Sequence, residues 1–301
     1  MEQQEQSPAS RKTWLEVALN GPWGPERQPA IPIRAEDVIR QGIDCVKAGA
    51  AIVHVHAYDP ASGRQNDDWE TYGRIITGIR DAVDAIVYPS IPFGGTGVGP
   101  QLPDADERFA HVRELGGRGL LEWAAVDPGS TNITHWDQLN RDDPGFVYLN
   151  PEVHVRHALS LARQFRFHPA YAIYEPGFVR LGAGLHWRCG CPAPVYRFMF
   201  TADYSFGFPP EDFALTAYLN LLDRIAPGAQ WMIAGLGADV LPLVPRAVME
   251  GGHVRVGLED MSLGCAQTNV ELVEAAAERI VNMGGALANA PDVRADLRPQ
   301  E

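Results

Sequence analysis

Short runs rich in Val, Ile and aromatic residues alternate with longer amphipathic stretches along nearly the whole chain. The runs at 13–19, 51–57, 85–90, 118–124, 168–174, 196–202, 229–235 and 253–258 have the length and composition of buried strands. The stretches at 35–49, 68–83, 104–116, 151–165, 176–188, 210–225, 240–251 and 268–284 carry helical spacing. Boundary residues agree with these spans. Asp104 precedes Glu107 by three residues, as in a capping box. Pro209 and Pro210 open one helix, where a missing N–H costs nothing. Gly116-Gly117 and Gly251-Gly252 fall where helices stop.

Strict β-then-α order implies a parallel sheet, and this number of units in about 290 residues predicts a closed α/β barrel of the (β/α)8 TIM type. A doubly wound open sheet is the competing architecture. It would want a nucleotide-binding G-x-G-x-x-G after an early strand, and neither FGGTGVGP nor GLGADV supplies one. No compositional break divides the chain. The expectation is a flexible N-terminal tail over 1–12 followed by a single barrel domain over 13–301. In such a barrel, catalytic residues gather at the C-terminal ends of the strands.

Composition narrows the chemistry. The 301 residues hold 38 acids against 25 bases, a net charge of −13, with no run of bases, so nucleic acid is not an expected partner. No apolar stretch approaches the length of a membrane span. The first residues, MEQQEQSPASRK, lack the apolar centre of a signal peptide. Four cysteines in such a chain read as reduced thiols, and a cytoplasmic location is expected. The lysines are Lys12 and Lys47, neither placed for a Schiff base beside a substrate, which excludes imine aldolase and pyridoxal chemistry.

The strand ends carry a constellation. His54 and His56 are two residues apart on one strand, so both imidazoles face one way at the barrel mouth, which is half of a metal site. Alone, such a pair is weak evidence, because buried histidines usually serve as hydrogen-bonded core residues. Strand 253–258 continues as RVGLED. Arg255 and Glu259 share one parity, and Glu259 at the mouth makes a third ligand. Two His and one carboxylate leave coordination positions open; Zn2+ is the first expectation, with Mn2+, Co2+ and Fe2+ as alternatives. Asp260 follows within reach of Arg255, although an ordinary salt bridge would look the same. Ser90 and the loop Asp127 to Asn132 bring polar groups to two further strand ends, where plain turn residues are also common. Glu16 inside the first strand, Asn20 at its end and Glu175 are secondary candidates. Cys189 and Cys191, near His186, fall short of the four ligands of a closed zinc site and are read as structural.

Taken together, HVHAYD, the PGSTN loop and GGHVRVGLED followed by Thr268-Asn269 resemble the β-keto acid cleavage enzyme family, the family of the 3-keto-5-aminohexanoate cleavage enzyme. The resemblance runs from about residue 14 to 285 and includes NGPWGPERQPAIPIRAEDVI, FGGTG with ADERF, and AGLG. It implies a zinc-dependent acyltransferase that takes a 3-keto acid and acetyl-CoA to acetoacetate and a new acyl-CoA by Claisen and retro-Claisen steps. It implies His54, His56 and Glu259 as metal ligands, Arg255 and Asp260 as the proton-handling pair, and Ser90, Ser130 and Asn132 as substrate contacts. Homo-oligomers are common in the family. Tyr58 stands where the family usually has arginine, Ala172 where it carries an acid, and Met261 where many members have Asn. In the implied reaction Arg255 keeps Asp260 ionised as base, and arginines near the mouth offset the acidic chain for CoA. The rival readings are a metal-dependent hydrolase or aldolase on the same barrel, or an inactive descendant.

Overall fold

The computed structural model describes residues 12–92, 95–96, 102–141 and 143–298. The expected tail, Lys12 apart, and most of the Gly-rich segment 93–100 lie outside the described residues. Eight strands form one parallel sheet: β1 (Leu15–Ala18), β2 (Ile52–Val55), β3 (Ile86–Pro89), β4 (Trp123–Val126), β5 (His168–Ile173), β6 (Val195–Phe200), β7 (Trp231–Gly235) and β8 (His253–Val256). Their order is β3-β2-β1-β8-β7-β6-β5-β4, so the sheet curls round in chain order and its ends are β3 and β4. Tyr88 and Trp123 meet across that seam with ring centroids 5.8 Å apart. The architecture is the expected (β/α)8 barrel.

The helices pack outside: α1 (Ala35–Lys47), α2 (Trp69–Arg80), α3 (Ala110–Gly117), α4 (Glu152–Phe165), α5 (Pro176–Cys189), α6 (Asp212–Ile225), α7 (Val244–Met249) and α8 (Asn269–Asn282). Strand residues of one parity, such as Val53, Val87, Tyr171, Phe198 and Val254, belong to the buried apolar core shared with these helices. This double burial is why the strands read as continuous hydrophobic runs. A smaller apolar cluster, including Ile133, Tyr148, Ala172, Met199 and Leu236, is separate from that core. No helix of the described residues is long and apolar enough to cross a membrane.

Several elements differ from the sequence pattern for identifiable reasons. The expected helix 104–116 is interrupted at Phe109, giving a turn at Ala105–Arg108 and then α3. There Arg108 is buried and donates to the Pro92 and Leu149 carbonyls and to Asn150 Oδ1, so the break serves a polar side chain turned inward. Strand 118–124 starts late, at Trp123, because Gly119 (φ 69°) and the Leu120 N–H bond to Leu115 O spend the first residues on closing the helix. Within 240–251, Pro242 and Pro245 each lack an N–H, and the segment becomes a 3-10 turn at Leu241–Leu243 followed by α7. The sequence pattern predicts a loop in the segment after β4, and the structure orders it into strands. Thr131–Ile133 pairs antiparallel with Phe146–Tyr148, which pairs in turn with Gly95–Thr96. Lys12–Thr13 pairs with Ala286–Leu287, and Lys12 Nζ meets Asp292 at 2.8 Å.

One glycine is required by close packing. Gly257, just after β8, has φ 139°, and a Cβ there would lie 2.1 Å from the Ala18 carbonyl oxygen on β1. That same oxygen accepts the Glu259 N–H at 3.3 Å. Gly257→Ala is expected to lower the unfolding free energy by about 2 kcal/mol or more, read from denaturant unfolding.

Candidate active site

The barrel's inward parity at the C-terminal end of the sheet defines a cavity. Its wall includes His54, His56, Ser90, Asp127, Arg255 and Glu259, with apolar residues from the hairpin after β4. Register sets the arrangement. Arg255 pairs with Glu16, Ala18 pairs with His54, and His54 pairs with Tyr88, so the polar groups sit on neighbouring strands at successive levels of the axis.

Arg255 is 1% exposed and holds three carboxylates. Its Nε donates to Asp260 Oδ2 at 2.9 Å and its Nη2 to Asp260 Oδ1 at 2.6 Å. The same Nη2 lies 2.9 Å from Glu259 Oε1, and Nη1 lies 3.3 Å from Glu16 Oε1. Glu16 also accepts from Tyr88 OH at 2.5 Å, and Tyr88 OH accepts from Arg197 Nη1 at 3.0 Å. Glu16, a secondary candidate in the sequence, is thus the fully buried floor of the site.

Glu259 is therefore divided between two tasks. Oε1 faces Arg255, while Oε2 is buried with no hydrogen-bond partner. Oε2 lies 3.6 Å from His54 Nε2 and 3.5 Å from His56 Nε2. These separations are too long for good hydrogen bonds. They are close to the spacing of about 3.3 Å between two donors that each sit about 2.0–2.1 Å from one tetrahedral ion. His56 Nε2 is likewise buried without a partner. Its Nδ1 lies 2.9 Å from Gln65 Oε1, and Gln65 Nε2 donates to Asp67 Oδ1 at 2.8 Å, which fixes the amide orientation. His56 Nδ1 must then carry the proton, leaving Nε2 as a lone-pair donor. Burial holds His54 well below the usual imidazole pKa, so it is neutral and able to ligate. Burial alone would raise the Glu259 carboxyl, but the Arg255 guanidinium outweighs it and holds the pKa well below the ordinary value. His54, His56 and Glu259 form a buried group with metal-ligand spacing, and the orphaned donor atoms fit a divalent ion.

Asp260 departs from the expectation that Arg255 lowers its pKa. Arg255 does pull it down, but complete burial wins and the carboxyl is pushed up to about 6. Both its oxygens face the guanidinium, so Arg255 forms the cavity wall and Asp260 stands behind it. Ser90 lines the cavity, and its carbonyl is bound by His111 Nε2 at 2.8 Å. Ser130 and Asn132 are exposed and are not among the cavity residues; Ser130 Oγ accepts from Asn150 N, and Ile133 faces the cavity in Asn132's stead. Glu175 accepts from Thr131 Oγ1 and Gly207 N. Cys189 Sγ donates to Leu159 O, and Cys191 Sγ lies 3.4 Å from His186 Nδ1, a local structural contact.

A supporting layer explains residues whose roles the sequence left open. Tyr58 OH donates to Gly21 O at 2.6 Å and accepts from Gly24 N at 3.2 Å, pinning the loop whose Trp23 donates to Glu259 O at 2.8 Å. Asn20 clamps His56 by exchanging two hydrogen bonds with its main chain, each 2.9 Å. Asn269 accepts from Leu258 N and donates to Leu19 O, tying the ligand loop to β1, while Thr268 closes a capping box with Glu271. Gln65 and Arg197 were missed by the sequence reading. Gln65 sits nine residues past His56 on a minor strand, with no motif around it.

Residues 12–298 match the family model described as beta-keto acid cleavage enzyme. A 3-dehydrocarnitine:acetyl-CoA trimethylamine transferase of Rhizobium meliloti (strain 1021) is 25% identical over 323 residues, covering 96% of this chain and 97% of the relative. A 3-keto-5-aminohexanoate cleavage enzyme of Fusobacterium nucleatum is 25% identical, covering 89% and 91%. A 3-oxoadipate:acetyl-CoA acetyltransferase of Cupriavidus necator is 25% identical, covering 94% and 93%. Among solved structures, the apo structure of ObcA superposes with a TM-score of 0.69 at 17% identity, over 89% of this chain and 65% of that one, and so supports the fold.

The Gln65–His56 contact generates a test that needs no substrate. Gln65→Ala is expected to weaken divalent-metal affinity by about 10–100-fold, measured by competition with a chelating dye. His56→Ala is expected to abolish stoichiometric binding, with the barrel still folded by circular dichroism.

Proposed function

The chain belongs to the β-keto acid cleavage enzyme family, and on that premise we propose that it converts a 3-keto acid and acetyl-CoA into acetoacetate and a new acyl-CoA. The observation that carries the reading is the division of Glu259 between Arg255 and the two imidazoles. A carboxylate is aimed at a ligand position by a guanidinium that also holds Asp260. The acetyl-CoA named for the relatives supports the choice of co-substrate.

Zn2+ is the proposed ion, held by His54, His56 and Glu259; when bound it supplies Lewis-acid polarisation of the keto oxygen. The protein's own groups do the rest. Loss of a C2 proton makes the substrate an enolate; Arg255, which stands between the cavity and Asp260, gives an Nη2 proton to Asp260 Oδ1 and takes up the C2 proton in its place. The Asp260 carboxyl is suited to accept and later return a proton because burial has brought its pKa to about 6. Arg255, at the cavity face, orients Asp260 and presents positive charge towards the developing enolate. The enolate carbon attacks the acetyl thioester, CoA passes to the original acyl carbon, and the C–C bond breaks to release acetoacetate. Ser90 is placed to contact the bound acid. Arg27, stacked over Trp23 at 5.3 Å, offers a cation beside the cavity for the CoA phosphates. The reading includes a cytoplasmic enzyme, supported by four free cysteines. It also includes a homo-oligomer, supported by exposed Trp187, Trp136 and Phe213.

The test combines elemental analysis with an acetoacetate assay on a panel of 3-keto acids, with and without acetyl-CoA. One zinc per chain and strictly acetyl-CoA-dependent acetoacetate are expected. Product that forms equally without acetyl-CoA would overturn the acyl-transfer reading in favour of a hydrolase or aldolase. Asp260→Asn is expected to lower kcat by about 10²–10⁴-fold while bound zinc stays at the wild-type level.

A further inference from the structure

Across the axis from the metal ligands, one register row of the sheet is left chemically unfinished. Tyr171 on β5 pairs with Val126 on β4, so the next residues, Ala172 and Asp127, stand side by side. Ala172 pairs on its other side with Arg197 of β6. All three line the cavity. Asp127 and Arg197 are 7% and 2% exposed.

Each of these two charged groups has one atom without a partner. Tyr148 OH donates to Asp127 Oδ2 at 2.5 Å, while Asp127 Oδ1 is buried and unpaired. Arg197 uses Nη1 on Tyr88 OH and Nη2 on Ala170 O, each at 3.0 Å, while its Nε is buried and unpaired. In the register row, the residue between Asp127 and Arg197 is Ala172, whose side chain is a single methyl group. Orphaned buried donors and acceptors are rare in folded proteins, and a pair of opposite kind flanking a small residue has the form of a binding notch.

The charges select what fills it. A cationic group at this row would lie against the Arg197 guanidinium. An anionic group would lie against the Asp127 carboxyl. A neutral group that both donates and accepts meets both atoms without an unpaired charge. We propose that Asp127, Ala172 and Arg197 form the specificity subsite, and that the preferred 3-keto acid carries a hydroxyl or a primary amide on its side chain. That group donates to Asp127 Oδ1 and accepts from Arg197 Nε. The substrate class rests on the proposed acyl transfer; the notch itself does not.

The test separates the two. Zinc-loaded full-length protein is titrated calorimetrically, without acetyl-CoA, with 3-keto acids of equal length ending in methyl, hydroxyl, carboxamide, ammonium or carboxylate. The hydroxyl or carboxamide acid is expected to bind at least about 10-fold tighter than the methyl acid, and both charged acids more weakly than the best neutral one. Asp127→Ala, and independently Ala172→Val, which fills the notch, are expected to bring the polar-to-methyl ratio of Kd values towards one while bound zinc is unchanged. Equal binding of methyl and polar acids, tightest binding of a charged acid, absence of binding by the whole panel, or a preference that survives both variants would each overturn the subsite. Acetoacetate formation by the same panel then reads the reaction separately. Polar preference in binding without acetyl-CoA-dependent product would sink the acyl transfer and leave the subsite standing.

Discussion

The site depends on one guanidinium. Arg255 is sealed within the barrel and holds Glu16 below it, Asp260 behind it and Glu259 beside it. Three buried carboxylates so close together repel one another and lose their hydration. Without a cation at least one would take up a proton or the strands would part. Burial works against the charge of Arg255 as well, but the surrounding carboxylates keep its pKa well above the ordinary value. A second cation, Arg197, reaches Glu16 at 3.8 Å, so the floor is a network rather than a chain of pairs. Removing one member of such a network typically costs about 3–5 kcal/mol, because the partners remain buried and unpaired. That cost measures the partners left uncompensated, not a net gain from the network. The arrangement holds a carboxylate at a fixed angle with one oxygen deliberately unmatched.

That unmatched oxygen links the electrostatics to the backbone. Glu259 reaches its place because Gly257 lets β8 pass against the Ala18 carbonyl and because Asn269 receives the Leu258 N–H. The imidazoles reach theirs because two residues along a strand return to the same face. Asn20 and Gln65 then lock His56 from its main chain and from its ring. Tyr58 belongs to this layer too. Its hydroxyl bridges Gly21 and Gly24 and so steadies Trp23 against Glu259 O, a packing role that explains how a residue other than arginine serves at this place.

Much of this was legible in the sequence because it is written in local patterns. Short apolar runs, amphipathic stretches and their caps yield the eight units, and the shared side of His54 and His56 follows from their spacing along a strand. What escaped has no local pattern. The strand expected at 118–124 moved because Gly119 takes a left-handed conformation that leaves no hydrophobic signature. The helix at 104–116 broke to bury Arg108, whose partners lie 16 to 42 residues away. Gln65 supports a ligand from a two-residue strand too short to be recognised. The sign of the Asp260 shift turned on a balance between burial and a neighbouring charge, and sequence shows the neighbour but not the burial.

The same division governs the wall that faces the substrate. The candidate metal side joins two compact motifs far apart in the chain, His54 with His56 and Arg255 to Asp260, which the sheet brings together. The opposite wall is built by register across β4, β5 and β6, with Tyr148 arriving from a hairpin, so its members are dispersed from 127 to 197. Three relatives share 25% identity with this chain and are each named for a different keto acid. A fold that keeps its charges fixed at one end of an axis and varies single residues on facing strands at the other can change substrate without disturbing its chemistry. Ala172 illustrates the economy of this. It stands between Asp127 and Arg197 in one register row and brings no polar group of its own to the two orphaned atoms. In the proposed subsite, specificity is a property of packing between strands rather than of any one motif.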